Sequence, residues 1–229
     1  MKKTLIACLV FLSLNAFAAK PKHQFVRIST EKGTCVVLLY NQTPLHRDNF
    51  VKITQEGKLS ETLFHRVIKS FMIQGGDPDS KTAKPGQALG DGDWGYTVPA
   101  EFRDSLFHKK GVIAAARDSN ITKASSACQF YLAQGKVFTD EQLDLLEQNR
   151  LKRKIPTWQR EVYKTLGGIP HLDQNYTVFG EVVQGIEMID TIAAVGLVVD
   201  SPEATSHLKG TYTNVPRTVC NMLGIDPAQ

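Results

Sequence analysis

Cysteine is scarce in this chain: four among 229 residues, with no C-x-x-C pair. That absence excludes a dithiol redox motif and a zinc ribbon, which need paired sulfurs. The six histidines are scattered and no H-x-x-x-H occurs, so the sequence offers no helical metal site and no metal is expected. Charge is close to balanced. A formal net charge of +4, with no dense basic stripe, argues against nucleic acid as a partner. Internal repeats and low-complexity linkers are missing. The strand and helix patterns do not alternate as βαβ units, which excludes a doubly wound parallel sheet. One long apolar run exists, residues 4–14, and it is too short for a comfortable membrane span.

That run reads as a secretory signal. Lys2 and Lys3 precede it, and Ala16-Phe17-Ala18 offers a small-residue cleavage site. Cleavage over residues 1–19 leaves a mature chain of charge about +2, periplasmic or secreted, with no stable membrane insertion. Leu5-Ile6-Ala7-Cys8 has lipobox character. A lipobox cysteine follows the apolar stretch, whereas Cys8 sits at its start, so lipid anchoring is not expected. Cys35, Cys128 and Cys220 remain. An odd number leaves at least one thiol unpaired; a Cys35–Cys220 bridge and three buried thiols are both open.

Hydrophobic residues make up 42% and charged residues 22% of the chain, enough for one core over residues 20–229. Residues 25–40 read as a hairpin about Gly33. Thr43 and Pro44 open a helix as N-cap and first helical position, Phe50 and Ile53 face inward, and Gly57 stops it. Two short strands lie within 63–74, a Gly/Asp-rich loop in 79–95, and further strands at 96–102, 111–116, 129–133, 176–183 and 218–222. Asp91-Gly92-Asp93 hints at a calcium loop but lacks the other ligand positions, and reads as a turn. Ile186, Ile189, Ile192 and Ala193 mark a helix. Residues 136–168 break the β pattern. There Leu143, Leu146 and Leu151 share one helical face, and Trp158, Val162 and Leu166 another. Mainly β content with few helices suggests an antiparallel barrel carrying a helical insertion.

The most specific segment is Phe64-His65-Arg66-Val67-Ile68-Lys69-Ser70-Phe71-Met72-Ile73-Gln74-Gly75-Gly76-Asp77. It sets one arginine and one glutamine among aromatic and thioether side chains, with no nucleophile–base pair. Such a set suits a reaction that needs fixed hydrogen-bond donors and an apolar pocket but no proton transfer. The segment resembles the cyclophilin signature F-H-R, four residues, F-M-x-Q-G-G-D. Two further blocks agree in order. Residues 111–117 resemble G-x-L-x-M-A-N, and 125–131 resemble S-x-x-S-Q-F-F. His171-Leu172-Asp173-Gln174-Asn175-Tyr176-Thr177-Val178-Phe179-Gly180 resembles W-L-D-x-x-H-V-V-F-G. The likeness spans about 25–134 and 168–223.

The resemblance implies a closed eight-stranded antiparallel barrel capped by helices near 44–56 and 185–194. It implies peptidyl-prolyl cis/trans isomerase activity on proline-containing polypeptides, no cofactor, and a monomer. Arg66 and Gln74 would be catalytic. Phe71, Met72, Ala116, Arg117, Gln129, Tyr131, His171, Leu172 and Tyr176 would bind substrate, Arg117 mainly through its backbone. Departures from the family include Arg117 for asparagine, Cys128 for serine, Tyr131 for phenylalanine, His171 for tryptophan and Tyr176 for histidine. The last two bear on cyclosporin binding more than on catalysis. The insertion is expected to border the groove, while its basic cluster Arg150, Lys152, Arg153 and Lys154 reads as a solvated helix end. The alternatives are a non-catalytic peptide-binding or chaperone module on the same barrel, and a thiol redox role through Cys128.

Overall fold

In the computed structural model, which describes residues 23–84, 86–195 and 211–214, apolar side chains alternate through β1 (Gln24–Thr30) and β2 (Gly33–Leu39). Val26 and Ile28 face the same side as Cys35, Val37 and Leu39, and all are buried. Thr30 pairs with Gly33, which leaves Glu31 and Lys32 as the turn. Gly33 has φ +132, a conformation open to glycine at little cost.

The remaining strands are β3 (Arg66–Ile68), β4 (Met72–Gly75), β5 (Thr97–Val98), β6 (Val112–Ala115), β7 (Ser125–Ser126), β8 (Phe130–Ala133), β9 (Val178–Gln184) and β10 (Thr211–Asn214). Eight of the ten strands form one curled sheet in the order β10-β1-β2-β9-β6-β8-β4-β3, and β5 pairs with β7 apart from it. Every ladder is antiparallel. Among the described residues no ladder joins the two outer strands, β10 and β3. The expected signal segment, the expected strand at 218–222 and Cys220 lie outside the described residues.

Helices α1 (Pro44–Gln55) and α4 (Glu187–Ala193) cover the sheet. Phe50 and Ile53 from the first, and Met188, Ile189 and Ile192 from the second, join the main core. The expected Thr43 cap is corrected. Thr43 precedes the helix, but its hydroxyl donates to Tyr40 O instead. The helix N-terminus is capped from across the fold. The Glu101 carboxylate accepts the N–H groups of Leu45 (3.1 Å) and His46 (2.9 Å). A full negative charge at the dipole's positive end does this work better than a hydroxyl.

Period-2 alternation sorts β6 and β8 onto two apolar faces. Ile113, Ala115, Phe130 and Leu132 join the main core. Val112, Ala114, Ala116, Tyr131 and Ala133 form a second cluster with Met72, Ile169 and Val178. That second face carries the site.

The insertion is two helices on a third small core. Helix α2 (Asp140–Leu146) runs into a π-helical turn (Glu147–Leu151), followed by α3 (Thr157–Thr165). Thr139 and Gln142 form a capping box at its start. Leu143 is buried with Phe107, Ile155 and Tyr163, and Leu151 packs against them. The inward face of α3 is rotated by about one residue from its apolar stripe, of which Val162 still packs against this core and Trp158 still meets the Phe107 ring edge to face. Gln159 and Tyr163 are buried, while Trp158 is 52% and Leu166 44% exposed. Polar partners decide the rotation: Gln159 donates to Asp104 O, and the Tyr163 hydroxyl to Asp173. No described helix is long and apolar enough to cross a membrane.

Candidate active site

The β3–β4 register sets Arg66 opposite Gln74, and the β4–β8 register sets Gln74 opposite Tyr131. Directly opposed residues share a face, so all three side chains point the same way. Arg66 Nη1 donates to Gln74 Oε1 at 3.3 Å. Gln74 Nε2 donates to Gln129 Oε1 at 3.0 Å. Gln129 Nε2 in turn donates to Gly90 O (2.7 Å) and Gly92 O (2.9 Å). The relay fixes each amide's orientation. One N–H of the Arg66 fork is used; a guanidinium has five. Among the described residues Arg66 forms no ion pair, so its charge is not spent on a carboxylate.

A cavity of about 300 Å³ is lined by every substrate-site residue singled out from the sequence except Gln129, together with Arg150. Gln129 lines the adjoining cleft with Gln74, Ala116 and Arg117. Met72 and Tyr131 are nearly inaccessible and form the wall from beneath. Tyr131 and Tyr176 meet edge to face at 5.9 Å. His171 stacks on Phe71 at 5.7 Å, with 11° between the planes. Burial, aided by the nearby Arg150 charge, pushes the His171 imidazole down to about 4. It is therefore a neutral plane at ordinary pH, which is what stacking on phenylalanine needs. Arg117 lies over the Tyr176 ring at 4.8 Å and donates to Asn175 O.

The family model for "Cyclophilin type peptidyl-prolyl cis-trans isomerase/CLD" matches residues 25–211. The chain belongs to the cyclophilin family. A putative peptidyl-prolyl cis-trans isomerase of Staphylococcus aureus is 32% identical over 169 residues, 73% of this chain and 80% of that protein. A putative bifunctional phosphatase/peptidyl-prolyl cis-trans isomerase of Streptococcus pyogenes is 32% identical over 173 residues. This chain spans 34% of the streptococcal protein's length. A solved cyclophilin-type isomerase of Cryptosporidium parvum superposes with TM-score 0.60 at 20% identity, over 85% of this chain and 99% of that one. The same parasite isomerase in the presence of the dipeptide Ala-Pro gives TM-score 0.59 at 21% identity, over 85% and 100%. The family match and the named relatives make this cyclophilin a peptidyl-prolyl cis/trans isomerase.

Sequence reasoning missed a buried chain beneath this cyclophilin's pocket. The Asp173 carboxylate accepts both the backbone N–H and ring Nδ1–H of His108, at 2.8 and 2.9 Å. A carboxylate only accepts, so Nδ1 carries the proton and Nε2 is free to accept from the Tyr131 hydroxyl at 2.9 Å. The Tyr163 hydroxyl reaches the other Asp173 oxygen at 2.7 Å. The pocket's tyrosine and the insertion's tyrosine thus share one His–Asp pair. His108 carries no local signal, because its partners lie 23 and 65 positions away.

The basic cluster of the insertion divides. Lys154 pairs with Glu147 and Lys152 reaches Gln148 O, as a solvated end should. Arg150 instead lines the pocket, and Arg153 sits 3.7 Å from Asp173. The redox reading of Cys128 fails. The thiol is buried, bonded to Ser126 Oγ and Gly92 O, and pushed up to about 11 by burial. A protonated, inaccessible thiol is a poor nucleophile. Cys35 is likewise unbridged and pushed up to about 12, mainly by burial. Asp93 closes its turn by accepting from Gly95 N–H.

Proposed function

We propose that Arg66 is the catalytic group and that the enzyme acts on extended X–Pro segments of exported polypeptides. The uncatalysed rotation faces a barrier of ~18–20 kcal/mol and takes tens to hundreds of seconds. Reaching milliseconds requires roughly 10⁴-fold, or about 5–6 kcal/mol. No covalent bond breaks. What changes is the amide nitrogen, whose lone pair is delocalised in the planar ground state and localised in the twisted one. A donor held at that nitrogen therefore binds the transition state more strongly than the ground state. The observation that carries this reading is Arg66 itself, uncompensated by any described carboxylate and braced by Gln74. Phe71, Met72, Leu172, Tyr131 and Tyr176 supply the proline pocket around it. Gln129 and the backbone at Ala116 and Arg117 receive the peptide on one side.

Export rests on Lys2, Lys3, the 4–14 apolar run and Ala16-Phe17-Ala18. The eight-strand order is consistent with closure into a barrel between β3 and β10, and the enzyme acts as a monomer without cofactor. The test is proline-limited refolding with catalytic amounts of mature protein and of Arg66→Ala. Wild type accelerates the slow phase. The variant loses on the order of 10²-fold in kcat/KM while keeping its folded circular dichroism, the usual scale for one oriented donor. An equally active Arg66→Ala removes Arg66 from catalysis. A wild type that binds unfolded chains without accelerating them is a binding module.

A further inference from the structure

Two clefts of unlike charge adjoin the proline cavity. The proline cavity adjoins the cleft of Gln74, Ala116, Arg117 and Gln129 on one side, where Asp91, Asp93 and Asp118 also line the wall. Past His171, Leu172 and Tyr176 it opens into a larger cleft of about 570 Å³, and Arg117 lines both clefts. Four cations line that second cleft: Arg117, Lys123, Arg150 and Arg153. Arg117 and Lys123 donate only to backbone carbonyls, Arg117 to those of Asn175 and Asp118, Lys123 to that of Gln174. Among the described residues Arg150 makes no ion pair. The one carboxylate in the lining is Asp173. It is buried and already accepts from His108 and Tyr163, with Arg153 3.7 Å away.

Four positive groups facing one largely occupied carboxylate leave a net positive cleft. Its walls are low in dielectric, which focuses the field. His171, at the edge of this cleft, is held neutral first by burial and then by the Arg150 charge. The mature chain carries only about +2 overall, so a general attraction for anions is weak and the effect is local.

We infer that the cleft of Arg117, Lys123, Arg150 and Arg153 is a subsite for an acidic side chain of the polypeptide substrate, close to the isomerised proline and on one flank of it. Resting on the assignment of the neighbouring cavity to proline, this makes the insertion a specificity element. Arg150 and Arg153 come from it, and they line a different cleft from Asp91, Asp93 and Asp118. An acid on the correct flank meets guanidinium groups that bind carboxylate through paired N–H donors. An acid on the other flank meets aspartates.

The experiment uses the mature protein and proline peptides of one length, differing only in glutamate, glutamine or lysine within two residues of proline, on either flank. Cis/trans exchange is followed by NMR at low and at about 0.5 M salt, where the Debye length shrinks to a few ångströms. Glutamate should exceed glutamine in kcat/KM by about threefold or more on one flank only, and salt should erase the difference. In R150Q/R153Q the ratio should fall to about one; in R150E/R153E lysine should replace glutamate as the favoured residue. K123Q, in the same lining but outside the insertion, should lower the ratio without touching the insertion, which covers the case of a double variant that fails to fold. A wild-type ratio of one, equal gains on both flanks, or a ratio unchanged in folded R150Q/R153Q or K123Q overturns the subsite while the isomerase assignment stands. Failure to turn over any peptide overturns the proline pocket, and the subsite with it.

Discussion

At the residue scale, Tyr131 serves two purposes that separate by substitution. Its ring is a wall of the cavity proposed for proline, and its hydroxyl donates to His108 beneath it. Burial raises its hydroxyl well above the usual phenol range, so it stays a donor. Tyr131→Phe keeps the wall and orphans His108 Nε2, a buried acceptor. The expected cost is about 1–3 kcal/mol of stability, with kcat/KM changed less than about threefold, because the family commonly carries phenylalanine here. Urea denaturation and peptide exchange on the same sample check both. An unchanged midpoint denies the hydrogen bond its place; a large loss of activity makes the hydroxyl part of the site. Glu101 shows the same economy. It caps α1 and also accepts from His46 Nδ1 at 2.8 Å, while His46 Nε2 meets Ser125 Oγ at 3.0 Å. None of these pairs is visible in the sequence, since each joins residues 23 to 79 positions apart.

At the element scale, the insertion leaves and rejoins the main fold at two adjacent points, and Gln159 and Tyr163 also tie it to Asp104 and Asp173. Its ends meet through Gly168 N–H to Lys136 O (3.0 Å) and Lys136 N–H to Gly168 O (3.3 Å). Inside it, Glu147 is the hub: its carboxylate accepts from Ile155 N–H (2.9 Å), Arg160 (2.9 Å) and Lys154 (2.8 Å). Glu147→Ala orphans the buried Ile155 amide and leaves Arg160 only its pairs with Asp140 and Asp144. Hydrogen exchange should then quicken across 140–165 while β2, β6, β8 and β9 keep their protection, as expected for a separately opening unit. The local cost should be about 1–3 kcal/mol. Uniform quickening of the sheet would mean that the insertion is part of the main core.

The strands were largely legible at this scale because alternation in β1 and β2 needs no knowledge of partners. The blocks around Arg66, Ala116, Gln129 and Leu172 located nearly the whole pocket. The inward face of α3 was not legible. Apolar periodicity selected Trp158, Val162 and Leu166, yet the helix turns to satisfy Gln159 and the Tyr163 hydroxyl against groups supplied by other segments. Arg150 was hidden for a related reason. Its place at the pocket depends on a π-helical turn, and no spacing rule marks that turn.

At the scale of the whole molecule, the imidazoles set the response to acid. Burial holds His46 below the ordinary range, even against Glu101. Burial lowers His65 as well. His171 is pushed down to about 4 by burial and by Arg150. In the unfolded chain each titrates near 6.5. Between about 4 and 6.5 the unfolded state therefore binds more protons than the folded one, and stability rises with pH through that window. Above about 6.5 both states are neutral at these positions and the contribution is constant. The folded pKa values are depressed, so the stability is present at neutral pH and is lost as the solution is acidified. Urea midpoints measured from pH 4.5 to 8.5 should be level above 7 and fall steadily below 6.5. His171→Phe, which preserves a ring against Phe71 but cannot take a proton, should flatten part of that fall and leave the neutral plateau nearly in place. A midpoint that holds steady from pH 7 to 5 would mean that the buried imidazoles accept protons in the fold as readily as in water. The stacking of His171 on Phe71 and the cationic surroundings assigned to it would then both be wrong.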